Sequence, residues 1–165
     1  MESELGHGTR FRFWLPAVLD AAPVATEVTH ASDNLTGRVL FMDDEEPIRD
    51  MAEALLKRLG FDVTTVSDGH EVMRVYTEAL HDGTRFDLVI MDLTVPGGMG
   101  GKEAMAELHK IDPAVKGIVS SGYSSDPVMA NYRSYGFSGM VAKPYRLTDL
   151  AKAIRSVLEG NNTED

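Results

Sequence analysis

From Gly37 onward the sequence repeats one pattern five times: a short apolar run, then apolar residues at helical spacing. The runs lie at 38–42, 62–66, 86–91, 115–120 and 137–142. The first is followed by Ile48, Met51, Leu55, Leu56 and Leu59, and the second by Val72, Met73, Val75, Tyr76, Ala79 and Leu80. A third helix is predicted over 102–111, and a fourth opens at 124–127, where Pro127 is tolerated in the first turn. The fifth carries Leu150, Ile154, Val157 and Leu158, and Gly60, Gly83 and Gly160 close their respective helices. Strands that alternate with helices pair in parallel through right-handed crossovers, with helices covering both faces. Runs that are apolar on both faces fit such a buried sheet. In open α/β sheets the functional residues gather at the carboxyl ends of the strands, here after residues 42, 91, 120 and 142.

The 165 residues exceed what that pattern uses, so the chain reads as one domain with an appendage. Residues 17–36, rich in Ala, Thr, Val, Ser and Asp, show no sustained apolar period and read as a linker. Before them, Phe11, Phe13 and Leu15 alternate with Arg10, Arg12 and Trp14, a strand signal stopped by Pro16. Residues 161–165 read as a disordered tail, too short for a DNA-binding output domain.

Charge and composition remove several functions. With 16 basic against 26 acidic residues the net charge is −10, which disfavours nucleic-acid phosphates and anionic membranes as partners. There is no cysteine, hence no disulfide, thiolate metal site or cysteine nucleophile. No apolar run reaches the ~18 residues of a membrane span, and the acidic start does not resemble a leader. A cytoplasmic location is expected.

The strand ends carry the chemistry. The first ends in Asp43-Asp44-Glu45-Glu46, acids that repel one another unless a cation is present. Glu45 and Glu46 also suit a helix N-terminus, where the dipole favours negative charge. The third strand ends in Asp92, so two strands deliver carboxylates to one edge, a donor set that suits Mg²⁺. A dinucleotide site would need a glycine-rich or hydroxyl-rich first loop instead of acids. The fourth strand ends in Ser120-Ser121-Gly122 and the fifth in Lys143-Pro144, where the proline restricts the lysine's backbone and could be cis. Carboxylates, a hydroxyl and a lysine at one edge equip a chain for phosphoryl transfer.

These motifs together resemble the response-regulator receiver domains. The matching strings are Val39 to Asp44, Val89-Ile90-Met91-Asp92-Leu93-Thr94-Val95-Pro96, Ser121-Gly122-Tyr123 and Val141-Ala142-Lys143-Pro144-Tyr145. The resemblance covers 37–160 and implies a flavodoxin-like (βα)5 fold of five parallel strands in the order 2-1-3-4-5. It implies Asp92 as phospho-acceptor, and Asp43, Asp44, Asp92 and the carbonyl of Thr94 as Mg²⁺ ligands. It also implies Ser121 as the hydroxyl that moves toward the phosphoryl group, ahead of its neighbour Ser120, and Lys143 as the ion-pair partner. Three positions depart from or vary the pattern. Met140 stands where an aromatic switch is common, the loop at 96–101 is richer in glycine and expected to be mobile, and Thr94 and Tyr123 occupy positions that tune dephosphorylation.

Residues 1–16 look like the last hairpin of a histidine-kinase ATP-binding domain, with Gly6-His7-Gly8-Thr9-Arg10-Phe11 as the matching string. On that resemblance the chain derives from a hybrid sensor histidine kinase and itself lacks an ATP site. The expected partners are a histidine kinase core or a histidine phosphotransfer protein, with a homodimer as a further assembly. The domain would catalyse its own phosphorylation and the later hydrolysis at Asp92. Two other classes compete: a pseudo-receiver acting only as an interaction or dimerisation module, and a Mg²⁺-dependent phosphate-ester hydrolase, for which the motifs supply no substrate pocket.

Overall fold

The computed structural model describes residues 2–4, 6, 8–14, 35–122 and 127–160. The chain divides into two units, 1–32 and 33–165. In the first, β1 (Glu2–Glu4) pairs antiparallel with β2 (Gly8–Arg10), Glu2 opposite Arg10. The alternation over 9–16 predicts a longer strand than is found. The ladder stops at Arg10, opposite Glu2, the first residue of β1, and a period of two makes a strand only where a partner supplies hydrogen bonds. Phe11, Phe13 and Trp14 follow it as exposed side chains, the two Phe rings stacked at 6.4 Å. Leu15, Pro16, residues 17–34 of the predicted linker and the tail at 161–165 lie outside the described residues.

The second unit is a five-stranded parallel sheet: β3 (Gly37–Met42), β4 (Phe61–Val66), β5 (Leu88–Asp92), β6 (Gly117–Ser121) and β7 (Gly139–Ala142). Their order is β4-β3-β5-β6-β7, all parallel, the flavodoxin-like 2-1-3-4-5 arrangement. Four helices connect and cover them: α1 (Glu46–Leu59), α2 (Gly69–His81), α3 (Gly101–Ile111) and α5 (Leu147–Leu158). The fourth position, predicted as a full helix, holds one short turn, α4 (Pro127–Ala130), then a 3₁₀ turn at Tyr132–Tyr135. Asn131 breaks the helix: its side-chain amide donates back to the Pro127 carbonyl, and its backbone leaves helical angles.

Alternation along the strands builds two cores. Leu40, Met42, Val89, Met91 and Val119 bury on the side of α2 and α3, with Val72, Tyr76, Ala104 and Leu108. Val39, Phe41, Leu88, Ile90, Ile118 and Val141 bury on the other side, with Leu56 of α1 and Leu150 and Ile154 of α5. Truncating a fully buried leucine such as Leu56 to alanine costs about 2–5 kcal/mol. Three strands start two residues later than predicted because those residues belong to turns or packing. Phe86 stacks on Tyr76 at 6.1 Å, while the amides of Val115 and Phe137 donate to Asp112 and Tyr132.

Caps hold the helix ends. Gly60, in the left-handed conformation, turns its amide back onto the carbonyls of Leu56 and Lys57. At α2 the Asp68 side chain accepts from the Glu71 amide, while the Glu71 carboxylate accepts from the amide and hydroxyl of Ser67 at 2.8 and 3.0 Å. These bonds hold the Glu71 carboxyl below its ordinary pKa, the Ser67 amide contributing most.

Candidate functional site

The register brings the strand ends level. Met42 lies opposite Met91, Asp92 opposite Ser120, and Ser121 opposite Ala142, so the residues that follow emerge at one edge. Asp43, Asp44 and Asp92 each turn a carboxylate oxygen into a cluster spanning no more than 4.8 Å. Asp43 is fully buried, Asp92 nearly so and Asp44 exposed, which leaves the cluster open on one side. Asp43 Oδ1 accepts the Glu45 amide at 3.1 Å. Its Oδ2 is paired with the Lys143 ammonium at 2.6 Å.

Lys143 also reaches Asp92 Oδ1, at 3.1 Å, and is joined to Pro144 by a cis peptide bond. Its amide donates to the Ser121 carbonyl at 2.9 Å, which ties the β7 end to β6. Burial alone would lower the lysine's pKa, but contacts with Asp43 and Asp92 outweigh it and hold the ammonium above its ordinary value. Asp92 is pushed up, chiefly by burial; Lys143 opposes this, and the charges of Asp43 and Asp44 add to it.

The other predicted residues fall around this centre. Ser121 is buried at the last position of β6, and Thr94 lies exposed in the turn two residues past Asp92. Glu46 sits in the first turn of α1, and Glu45 precedes it as an exposed cap. Ser120 is buried on the opposite face from Ser121 and bonds the Tyr145 hydroxyl at 2.5 Å. Met140 is half exposed on β7. Tyr123 lies outside the described residues. The 96–101 loop, predicted to be mobile, is tied to α2 by the Gly69 amide, which donates to Met99 O at 2.9 Å.

Glycines at the start of α3 are part of the construction of the site. A Cβ at Gly101 would meet Asp92 O at 2.6 Å, and one at Gly100 would meet Leu93 O at 2.5 Å. The helix therefore lies directly against the backbone of the central aspartate.

Two contributors carry no role in the sequence reading. Arg49 of α1 donates from one guanidinium nitrogen to the carbonyls of Asp43 and Asp44, at 2.7 and 2.9 Å. It clasps the acidic turn by its backbone carbonyls. An arginine one turn into the helix after an acidic pair is the signal available for it. Tyr145 belongs to the quoted Lys-Pro-Tyr string, and only its hydroxyl's partner was invisible.

The donor set fits a hard divalent cation. Three carboxylates within 4.8 Å of one another, open on the side of exposed Asp44, match what Mg²⁺ takes alongside water. Among the described residues no helix is long and apolar enough to cross a membrane.

Comparison with known proteins agrees with this geometry. The family model described as "Response regulator receiver domain" matches residues 39–155. The sensor kinase CckA of Brucella abortus is 33% identical over 168 residues, covering 96% of this chain, which spans only 17% of that protein's length. The chemotaxis protein CheY of Thermotoga maritima is 30% identical over 121 residues, covering 73% of this chain and 96% of that protein. A crystal structure of a LuxR-family two-component response regulator from Aurantimonas superposes with a TM-score of 0.67 at 30% identity, over 76% of this chain and 87% of that one. The strand order, the acidic edge with its lysine, and the match over 39–155 lead to one conclusion: this chain belongs to the response-regulator receiver domain family.

Proposed function

We propose that this chain is a Mg²⁺-dependent phospho-acceptor that takes a phosphoryl group from phosphohistidine onto Asp92. The observation that carries this reading is the position of Asp92, clustered with Asp43 and Asp44 within 4.8 Å and 3.1 Å from the Lys143 ammonium. Asp43, Asp44, Asp92 and the Thr94 carbonyl would hold the metal, whose chemistry is to offset negative charge on carboxylates and phosphoryl oxygens alike.

Asp92 is the nucleophile. One carboxylate oxygen attacks phosphorus in line, the P–N bond breaks, and its electron pair returns to the imidazole nitrogen. The product is an acyl phosphate. Water later attacks the phosphorus, and Asp92 departs as a carboxylate. Lys143 pairs with a phosphoryl oxygen, and the Ser121 hydroxyl donates to another. Drawing them in shifts the surface around α4 and β7, the readout for a protein partner.

The partner is a histidine kinase core or a histidine phosphotransfer protein, in the cytoplasm. CckA aligns with 96% of this chain while CheY aligns with 73%, so the likeness to the sensor kinase extends beyond the receiver. That supports reading residues 1–16 as the final hairpin of a kinase ATP-binding domain, 17–36 as a linker, and the parent protein as a hybrid histidine kinase. Incubation with acetyl phosphate and Mg²⁺ tests the acceptor reading. Intact mass should gain one phosphoryl group, lost in excess EDTA and in Asp92→Asn; a gain that survives the substitution contradicts it.

A further inference from the structure

Below the acidic edge, on the α1 and α5 side of the sheet, two hydroxyls meet where apolar side chains would pack as well. Ser120 Oγ and Tyr145 OH lie 2.5 Å apart, with Ser120 fully buried and Tyr145 8% exposed. Their surroundings are otherwise apolar: Phe41 meets the Tyr145 ring edge-on at 6.1 Å, and Val141, Leu150 and Ile154 share the cluster. An alanine and a phenylalanine would fill this space without a polar atom to satisfy, so the pair is not needed for burial. What it adds is direction. A hydrogen bond fixes distance and angle, whereas an apolar contact slides.

The two residues it joins, and the Phe41 ring packed on Tyr145, stand next to those that place the site. Ser120 is the register partner of Asp92. Phe41 stands two residues before Asp43 on β3. Tyr145 stands two residues after Lys143, with only Pro144 between them. The amide of Lys143 is already bonded to Ser121 O, so the tyrosine hydroxyl is a second tie from the same short segment to the end of β6.

We propose that Tyr145, through Ser120, is a positioning residue for Lys143, holding its ammonium over Asp43 and Asp92 for phosphoryl transfer; this rests on the acceptor reading above. Burial, then the nearby charges of Asp43 and Asp92, keep the phenol protonated far beyond neutral pH against the pull of Ser120, so the tie persists across the working range.

Tyr145→Phe deletes one oxygen and is the direct test. At saturating Mg²⁺ and acetyl phosphate, the rate of acyl-phosphate formation should fall about 5- to 10-fold, the scale expected from a mispositioned charge. Mg²⁺ affinity should change less than about 2-fold, since Asp43 and Asp44 are untouched. In a Lys143→Met background the same substitution should change nothing further. The double variant Ser120→Ala/Tyr145→Phe, which removes the orphaned hydroxyl, should regain stability but not rate. Recovery of both, or a wild-type rate in Tyr145→Phe, overturns the proposal. If the wild-type protein takes up no phosphoryl group, it is the acceptor reading that fails. The positioning claim is then read from the ¹⁵N resonance of the Lys143 ammonium, which moves in Tyr145→Phe if the claim holds and coincides with wild type if it does not.

Discussion

Lys143 lies closer to Asp43 than to Asp92: its ammonium is 2.6 Å from the buried Asp43 carboxylate and 3.1 Å from that of Asp92. In the metal-free protein the lysine therefore neutralises a carboxylate that a cation would otherwise offset. Removing it leaves two buried carboxylates facing each other, and breaking such a pair costs about 3 kcal/mol, the low end for buried ions because Lys143 is partly exposed. Lys143→Met should unfold at correspondingly lower urea in EDTA, and saturating Mg²⁺ should restore more stability to the variant than it adds to wild type.

Arg49 acts on the same turn through the backbone. Its single nitrogen bridges the carbonyls of Asp43 and Asp44. Lysine keeps the charge but not the rigid guanidinium fork. Arg49→Lys should weaken Mg²⁺ binding about 10-fold, the low end for residues that support metal ligands because the charge is kept, while the thermal midpoint in EDTA changes little. Titration of Mg²⁺ by calorimetry on both proteins reads the difference.

The start of α3 tolerates no side chain. At Gly101 a Cβ would meet the Asp92 carbonyl at 2.6 Å and Met91 Cβ at 3.0 Å, and backbone has to move to admit it. Gly101→Ala should destabilise the domain by about 1–3 kcal/mol and, on the proposed function, slow phosphorylation, because the displaced backbone is that of Asp92. Urea melts and the acetyl-phosphate reaction measure the two effects separately.

Acid sensitivity should show at α2. Glu71 is held below its ordinary pKa by the Ser67 bonds, so its ionised form favours folding. That contribution is present above its unfolded pKa of about 4.3 and is lost as pH falls through the lower, folded value. Glu71→Gln should cost on the order of 0.5 kcal/mol at pH 7, after allowance for solvent screening. The gap between the two proteins should close in denaturation curves taken near pH 3.

Much of this was legible before any coordinates. Asp43, Asp92 and Lys143 each close an apolar run, and a parallel sheet delivers such residues to one edge whatever its strand order. Contacts made by long side chains were not. Arg49 reaches back to carbonyls, and Tyr145 reaches across the sheet to Ser120, neither of which follows from period or spacing. The alternation at residues 9–16 overstated a strand because pairing depends on the partner, and β1 offers only three residues. The fourth helix was overstated for a local reason, the side chain of Asn131 competing for a helix carbonyl.

The central claim is that Asp92 itself carries the phosphoryl group. Borohydride reduces an acyl phosphate to an alcohol, so the acceptor aspartate becomes homoserine and keeps its place in the chain. After reaction with acetyl phosphate and Mg²⁺, peptide mass mapping should find homoserine at position 92 and nowhere else. Homoserine at position 43 or 44, with Asp92 unchanged, would contradict the account.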